Sequence, residues 1–136
     1  VAEHVATRAI LALARSIDTV FDEIGRFAAS LPRPPASLIV FGSFARREAG
    51  PDSDVDIVAV RAADIDEGDE AWATSIEHLR SDVRRLTGNP VEVLEVSLDE
   101  AAARVAGRSQ LWADIRRDGR VVHGLGLDHL RRARSA

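Results

Sequence analysis

Asp54 and Asp56 stand one residue apart in the run Asp54-Val55-Asp56-Ile57-Val58-Ala59-Val60, whose apolar residues read as a buried strand. Side chains alternate in direction along a strand, so both carboxylates leave the same face, with Cα atoms roughly 6–7 Å apart. Such a pair on a rigid element suits a hard divalent cation, Mg²⁺ or Mn²⁺, which takes oxygen ligands and completes its shell from water and phosphate. Ten residues separate Asp54 from Gly42-Ser43, which closes an earlier apolar run, Ser37-Leu38-Ile39-Val40-Phe41. Gly42 permits close backbone approach, and free N–H groups at the start of a following helix attract an anion. Ser43 adds a hydroxyl donor for a phosphate oxygen, and Arg46 or Arg47 can reach the same phosphates.

Competing chemistries fit less well. Asp52-x-Asp54-x-Asp56 opens like a calcium loop, but the Gly that loop needs next is replaced by strand residues. A strand whose aspartates merely face solvent at a sheet edge leaves the neighbouring Gly-Ser turn unexplained. His4, His78, His123 and His129 are scattered without metal-ligand spacing, and Gly124-x-Gly126 is too short for a dinucleotide fingerprint. Trp72 and Trp112 fall on apolar helix faces and read as core or interface residues rather than base-stacking platforms. The absence of Cys excludes a thiol nucleophile, a disulfide framework and thiolate-bound zinc, and is compatible with a reducing cytoplasm. Lys is absent too, which removes Schiff-base chemistry and the P-loop lysine. A net charge of −4 gives no reason to expect binding to nucleic acid or an anionic membrane by this domain alone, and no apolar run of spanning length occurs.

The elements that must position these residues follow from periodicity. Val5, Ala9, Leu13, Ile17, Val20, Ile24, Phe27 and Leu31 recur every three or four residues, which predicts one helix from about Ala2 to Leu31, ended by Pro32, Pro34 and Pro35. Ile10, Phe21 and Ala28 widen its stripe. Packing on the core accounts for that face, with breadth for a second contact. Together with a start at Val and a chain without Met, this raises the expectation of an upstream domain. Strands are expected at Ser37–Phe41, Asp54–Val60 and Val91–Val96, with a short helix at Phe44–Glu48 and turn residues at Ala49–Ser53. A helix from about Asp69 to Leu86 carries Trp72, Ile76, Leu79, Val83 and Leu86 on one face, with Gly88 as its cap and Asn89-Pro90 as the turn beyond. Helical stretches at Asp99–Gly107 and Ser109–Arg117 precede a fourth strand, Arg120–His123. The expected organisation is an N-terminal helix (1–31), a main domain (32–123) and a weakly ordered tail (124–136).

The segment Leu38–Val60 resembles the signature of the DNA polymerase β-type nucleotidyltransferase superfamily, a Gly-Ser followed about ten residues later by Asp-x-Asp. Gly42, Ser43, Asp54 and Asp56 match the motif, and Ala45-Arg46 and Ser53 match its commonest bacterial form. The likeness is closest to the minimal nucleotidyltransferases and covers roughly Ser37 to Val96. It implies an α+β fold, a small mixed sheet with helices on one side. It also implies transfer of a nucleoside monophosphate from a triphosphate such as ATP to an acceptor hydroxyl, with Gly42, Ser43, Arg46 and Ser53 at the nucleotide. A third carboxylate on a neighbouring strand completes the implied metal site. Glu92 in Val91-Glu92-Val93-Leu94 stands where that residue usually is, although most minimal members carry Asp there. Glu95 is the competitor and, by alternation, points the other way. The acceptor implied is a small molecule or a protein, as in antitoxins that modify a toxin; a toxin or a second copy of the chain is then a partner. Ile115–Val122 and Thr87–Pro90 also resemble proteins in which a winged-helix DNA-binding domain precedes such a fold, which implies instead a nucleotide-binding regulator with little catalysis.

Overall fold

A computed structural model describes the backbone of residues 2–133 and the side chains of residues 16–133. In chain order the elements are α1 (Ala2–Ala29), β1 (Ser37–Phe41), α2 (Gly42–Ala45), β2 (Val55–Arg61), α3 (Glu70–Thr87), β3 (Val91–Ser97), α4 (Leu98–Ala106), α5 (Gln110–Asp118), β4 (Arg120–Gly124) and α6 (Leu127–Arg132). Four strands form one mixed sheet in the order β3-β2-β1-β4. β1 runs antiparallel to β2 and β4, whereas β2 and β3 are parallel and joined through α3.

Leu38, Ile39 and Val40 of β1 and Ile57 to Val60 of β2 are all fully buried, so both faces of the central strands need cover. Helices accordingly lie on both faces rather than on one. On the first, Phe21, Ile24 and Ala28 of α1 and Trp72, Ile76, Leu79 and Val83 of α3 pack on Leu38, Val40, Ile57 and Ala59. On the second, Ala101 and Val105 of α4, Trp112 and Ile115 of α5 and Leu130 of α6 pack on Ile39, Val58 and Val60. The N-terminal part of the apolar stripe, Val5 to Leu13, lies outside the described side chains.

Helix ends follow local chemistry. Asp69 caps α3 by accepting from Trp72 N–H at 2.8 Å, and Gly88 closes it at φ +75°. Ser97 and Glu100 form a reciprocal capping box at α4. α2 begins at Gly42, two residues before the expected start, because the chain turns there at φ +70°.

The expected weakly ordered tail is instead tied down as far as Ala133. Leu125 N–H donates to Ala36 O at 2.9 Å, Ser37 Oγ donates to Leu125 O at 2.6 Å, and Leu130 is fully buried. Leu125, Leu127 and Leu130 are too few to show a helical period, so only packing against α4 reveals the element. Leu130→Ala is expected to lower the unfolding free energy by about 2–5 kcal/mol, the usual cost of truncating a buried leucine. Urea denaturation measures this; a change within error would leave α6 outside the cooperative core.

Candidate active site

β1 ends and β2 begins at one end of the sheet, and there the sequence-selected residues meet. Phe41 is the Cα partner of Asp56, so Gly42 and Ser43 turn over that carboxylate as α2 begins. A Cβ at position 42 would overlap Asp56 Oδ2, and the backbone there is left-handed as well. Only glycine satisfies both conditions without strain. Asp54 is exposed immediately before β2, and Asp56 is half-buried within it.

The parallel register sets Val55 opposite Val91 and Asp56 opposite Glu92. Partners on adjacent strands share a face and lie about 5 Å apart between strand axes. Glu92 therefore stands beside Asp56, and the charge of Asp54, just ahead of the strand, acts on Asp56 as well. Glu95 is paired with Ala59, and its Oε1 accepts a hydrogen bond from Trp72 Nε1 at 2.9 Å, toward α3.

Electrostatics tie the three carboxylates together. The Asp56 carboxyl is pushed above the usual carboxylate range, first by burial, then by the negative charges of Asp54 and Glu92; Arg46 partly offsets this. Such a concentration of negative charge fits a divalent cation held by Asp54, Asp56 and Glu92. Among the described residues no three acidic or imidazole groups converge tightly enough to enclose an ion alone. An ion here would therefore draw further oxygen ligands from water and a phosphate-bearing substrate, the habit of Mg²⁺.

The other candidates take distinct places. Ser43 is half-buried at the start of α2. Arg46 donates from Nε to Glu48 Oε2 at 3.0 Å, and its positive charge favours the ionised forms of both Asp56 and Asp118. Arg47, at φ +61°, reaches Asp18 Oδ1 on α1 at 2.7 Å, and Arg120 of β4 reaches the same oxygen at 2.9 Å. Ser53 Oγ accepts from Gly50 N–H at 2.9 Å, closing the loop before Asp54.

Asn89, expected as part of the turn after α3, does more than turn the chain. It is buried, and its Nδ2 donates to the carbonyls of Ser53 at 2.8 Å, Pro51 at 3.2 Å and Gly50 at 3.3 Å. Val55 N–H donates to the neighbouring Pro90 O at 2.8 Å. The turn after α3 thus holds the loop that presents Asp54. Its partners lie over thirty residues away along the chain, a distance no local pattern reveals.

The raised Asp56 pKa has a stability consequence. The folded state holds this proton more tightly than the unfolded chain, so stability falls as pH rises from 3.8 through the raised value. Asp56→Asn should therefore raise the melting temperature of the metal-free protein at neutral pH. The gain should vanish below 3.8, where both states are protonated; thermal melts across pH check it, and a gain independent of pH would contradict it.

The family model of the nucleotidyltransferase domain matches residues 22–103, a span that includes the Gly-Ser turn, both aspartates and Glu92. No curated protein matches the chain. Among solved structures, a toxin–antitoxin with AMP-PNP is similar at 18% identity over 84% of this chain and 80% of that one, with a TM-score of 0.54. A mutant of the toxin–antitoxin MntA–HpeT is similar at 16% identity over the same shares, with a TM-score of 0.52. At these identities the likeness is one of fold. With more than half its length matched by the family model, the chain belongs to the nucleotidyltransferase domain family.

Proposed function

We propose that the protein transfers a nucleoside monophosphate from a nucleoside triphosphate to a hydroxyl of a protein or small-molecule acceptor, in a metal-dependent reaction centred on Asp54, Asp56 and Glu92. The register pairing of Asp56 with Glu92, with the Gly42-Ser43 turn closed over Asp56, carries this reading, because the charges of Asp54 and Glu92 both act on Asp56 there. Asp54 and Asp56 hold the cation, Mg²⁺ or Mn²⁺, and Glu92 completes the site. When bound, such an ion neutralises charge on the phosphates and lowers the barrier to pyrophosphate departure. Gly42 lets the turn close over Asp56, Ser43 donates to a phosphate oxygen, and Arg46 adds positive charge at the edge of the site. Ser53 holds the adjoining loop in shape. Glu92, unlike Glu95, has no ring N–H to serve, and it accepts the proton of the attacking hydroxyl.

The fold neighbours support ATP as donor and a toxin protein as partner, since one was solved as a toxin–antitoxin with the ATP analogue AMP-PNP. The other carries two aspartates, two positions apart, changed to glutamate, the spacing of Asp54 and Asp56.

Calorimetry tests the assignment directly. The Asp54→Asn, Asp56→Asn double variant should fold normally and lose Mg²⁺-dependent triphosphate binding; unchanged metal-dependent affinity would overturn the metal site. Glu92→Gln should lower the rate of label transfer from α-labelled triphosphate by about 10²-fold or more while largely sparing triphosphate affinity. Glu95→Gln should be mild, because the amide oxygen still accepts from Trp72. Equal losses in both variants would remove the special role of Glu92.

A further inference from the structure

Beyond Glu92, the same face of β3 continues to Leu94, two residues along the strand. Leu94 is 36% exposed and Leu111 43% exposed, and both line one cavity of about 310 Å³ with Trp112 at its wall. Glu95, Val96, Glu100, Arg104 and Ser109 complete the lining. β3 is also the edge of the sheet: β2 pairs with one side of its backbone, and no described strand pairs with the other. An open strand edge carries unsatisfied N–H and C=O groups, a template for another strand.

We propose that the acceptor is an extended polypeptide segment laid along the free edge of β3, with an apolar side chain seated between Leu94 and Leu111. The proposal rests on the transfer chemistry assigned to Glu92 and adds the acceptor's class and its seat. Backbone hydrogen bonds to an edge strand supply general affinity, while pockets for alternate side chains supply selectivity. Leu94, Val96, Leu111 and Trp112 give the cavity an apolar wall, and Glu95, Glu100 and Arg104 bring both signs of charge to it, which suits a peptide.

The geometry also dictates a sequence rule. A strand added to β3 shares its period of two, so residues facing Glu92 and the Leu94 cavity are two apart in the acceptor. The acceptor then has a Ser, Thr or Tyr two positions from a large apolar residue. Its hydroxyl oxygen bonds to the α-phosphorus as the bond from that phosphorus to the bridging oxygen breaks. Pyrophosphate leaves, and the hydroxyl proton passes to the Glu92 carboxylate.

Short synthetic peptides test this. Each carries one Ser, Thr or Tyr with Leu, Phe or Gly two positions away, and is incubated with the full chain, Mg²⁺ and each of the common α-labelled nucleoside triphosphates. Label on the Leu and Phe peptides should exceed that on the Gly peptides by about tenfold. Leu111→Arg and Leu94→Gln, both at exposed positions, should erase that preference while Mg²⁺-dependent triphosphate binding stays within about twofold and thermal melts stay cooperative. Labelling indifferent to the apolar residue, labelling unaffected by either variant, transfer to an aminoglycoside in place of peptides, or bound triphosphate with no labelled peptide would each overturn the proposal. Failure of the unmodified chain to bind any triphosphate would instead strike down the transfer reading on which it stands.

Discussion

The parallel pairing of β2 with β3 is the constraint from which the site follows. Parallel neighbours cannot be joined by a tight turn, so the chain must cross over, and α3 is that crossover. Its buried face, Trp72, Ile76, Leu79 and Val83, packs on one side of the sheet and sets where β3 begins. Val55 N–H bonded to Pro90 O starts the ladder at the end of that crossover. A slip of one residue would turn Glu92 to the opposite face from Asp56 and carry Val91 and Val93 out of their places. Apolar packing on one face thus determines carboxylate geometry on the other.

Gathering acidic groups runs against the stability of the metal-free fold, and the raised pKa of Asp56 is the direct sign of that opposition. The surrounding structure resists relaxation. Asn89 uses its amide to bind three carbonyls of the loop ahead of Asp54, and Gly42 leaves Asp56 the space that any side chain would take. Asp18 of α1 receives both Arg47 and Arg120, and the Arg120 guanidinium lies 4.7 Å from the centre of the Phe21 ring. Exposed ion pairs of this kind contribute little to stability. They do join α1, the turn after α2 and β4 at one point. The candidate site is therefore framed by contacts from elements far apart in the chain.

The same arrangement separates the two glutamates of β3. Glu95 faces α3 and is engaged by the Trp72 indole, while Glu92 lies on the other face, paired with Asp56. Trp72 looks in sequence like one more core residue of an amphipathic helix, and it is buried as such. Its single N–H nevertheless needs a partner, and Glu95 supplies it.

Much of this was legible in the chain itself. Continuous apolar runs marked the strands, helical periods marked α1 and α3, and the Gly-Ser and Asp-x-Asp spacing drew attention to the end of the sheet where those residues meet. Period-two alternation alone separated Glu92 from Glu95. These features are local, arising from backbone geometry within a few residues. Tertiary structure decided what local patterns do not encode: that both faces of the sheet are covered, that Leu130 anchors a terminal helix, and that Asn89 braces a loop distant in sequence. It also decided which residue lies opposite Asp56. Register between two strands is set by how a crossover helix packs, and that packing sums many weak apolar contacts no short stretch of sequence contains.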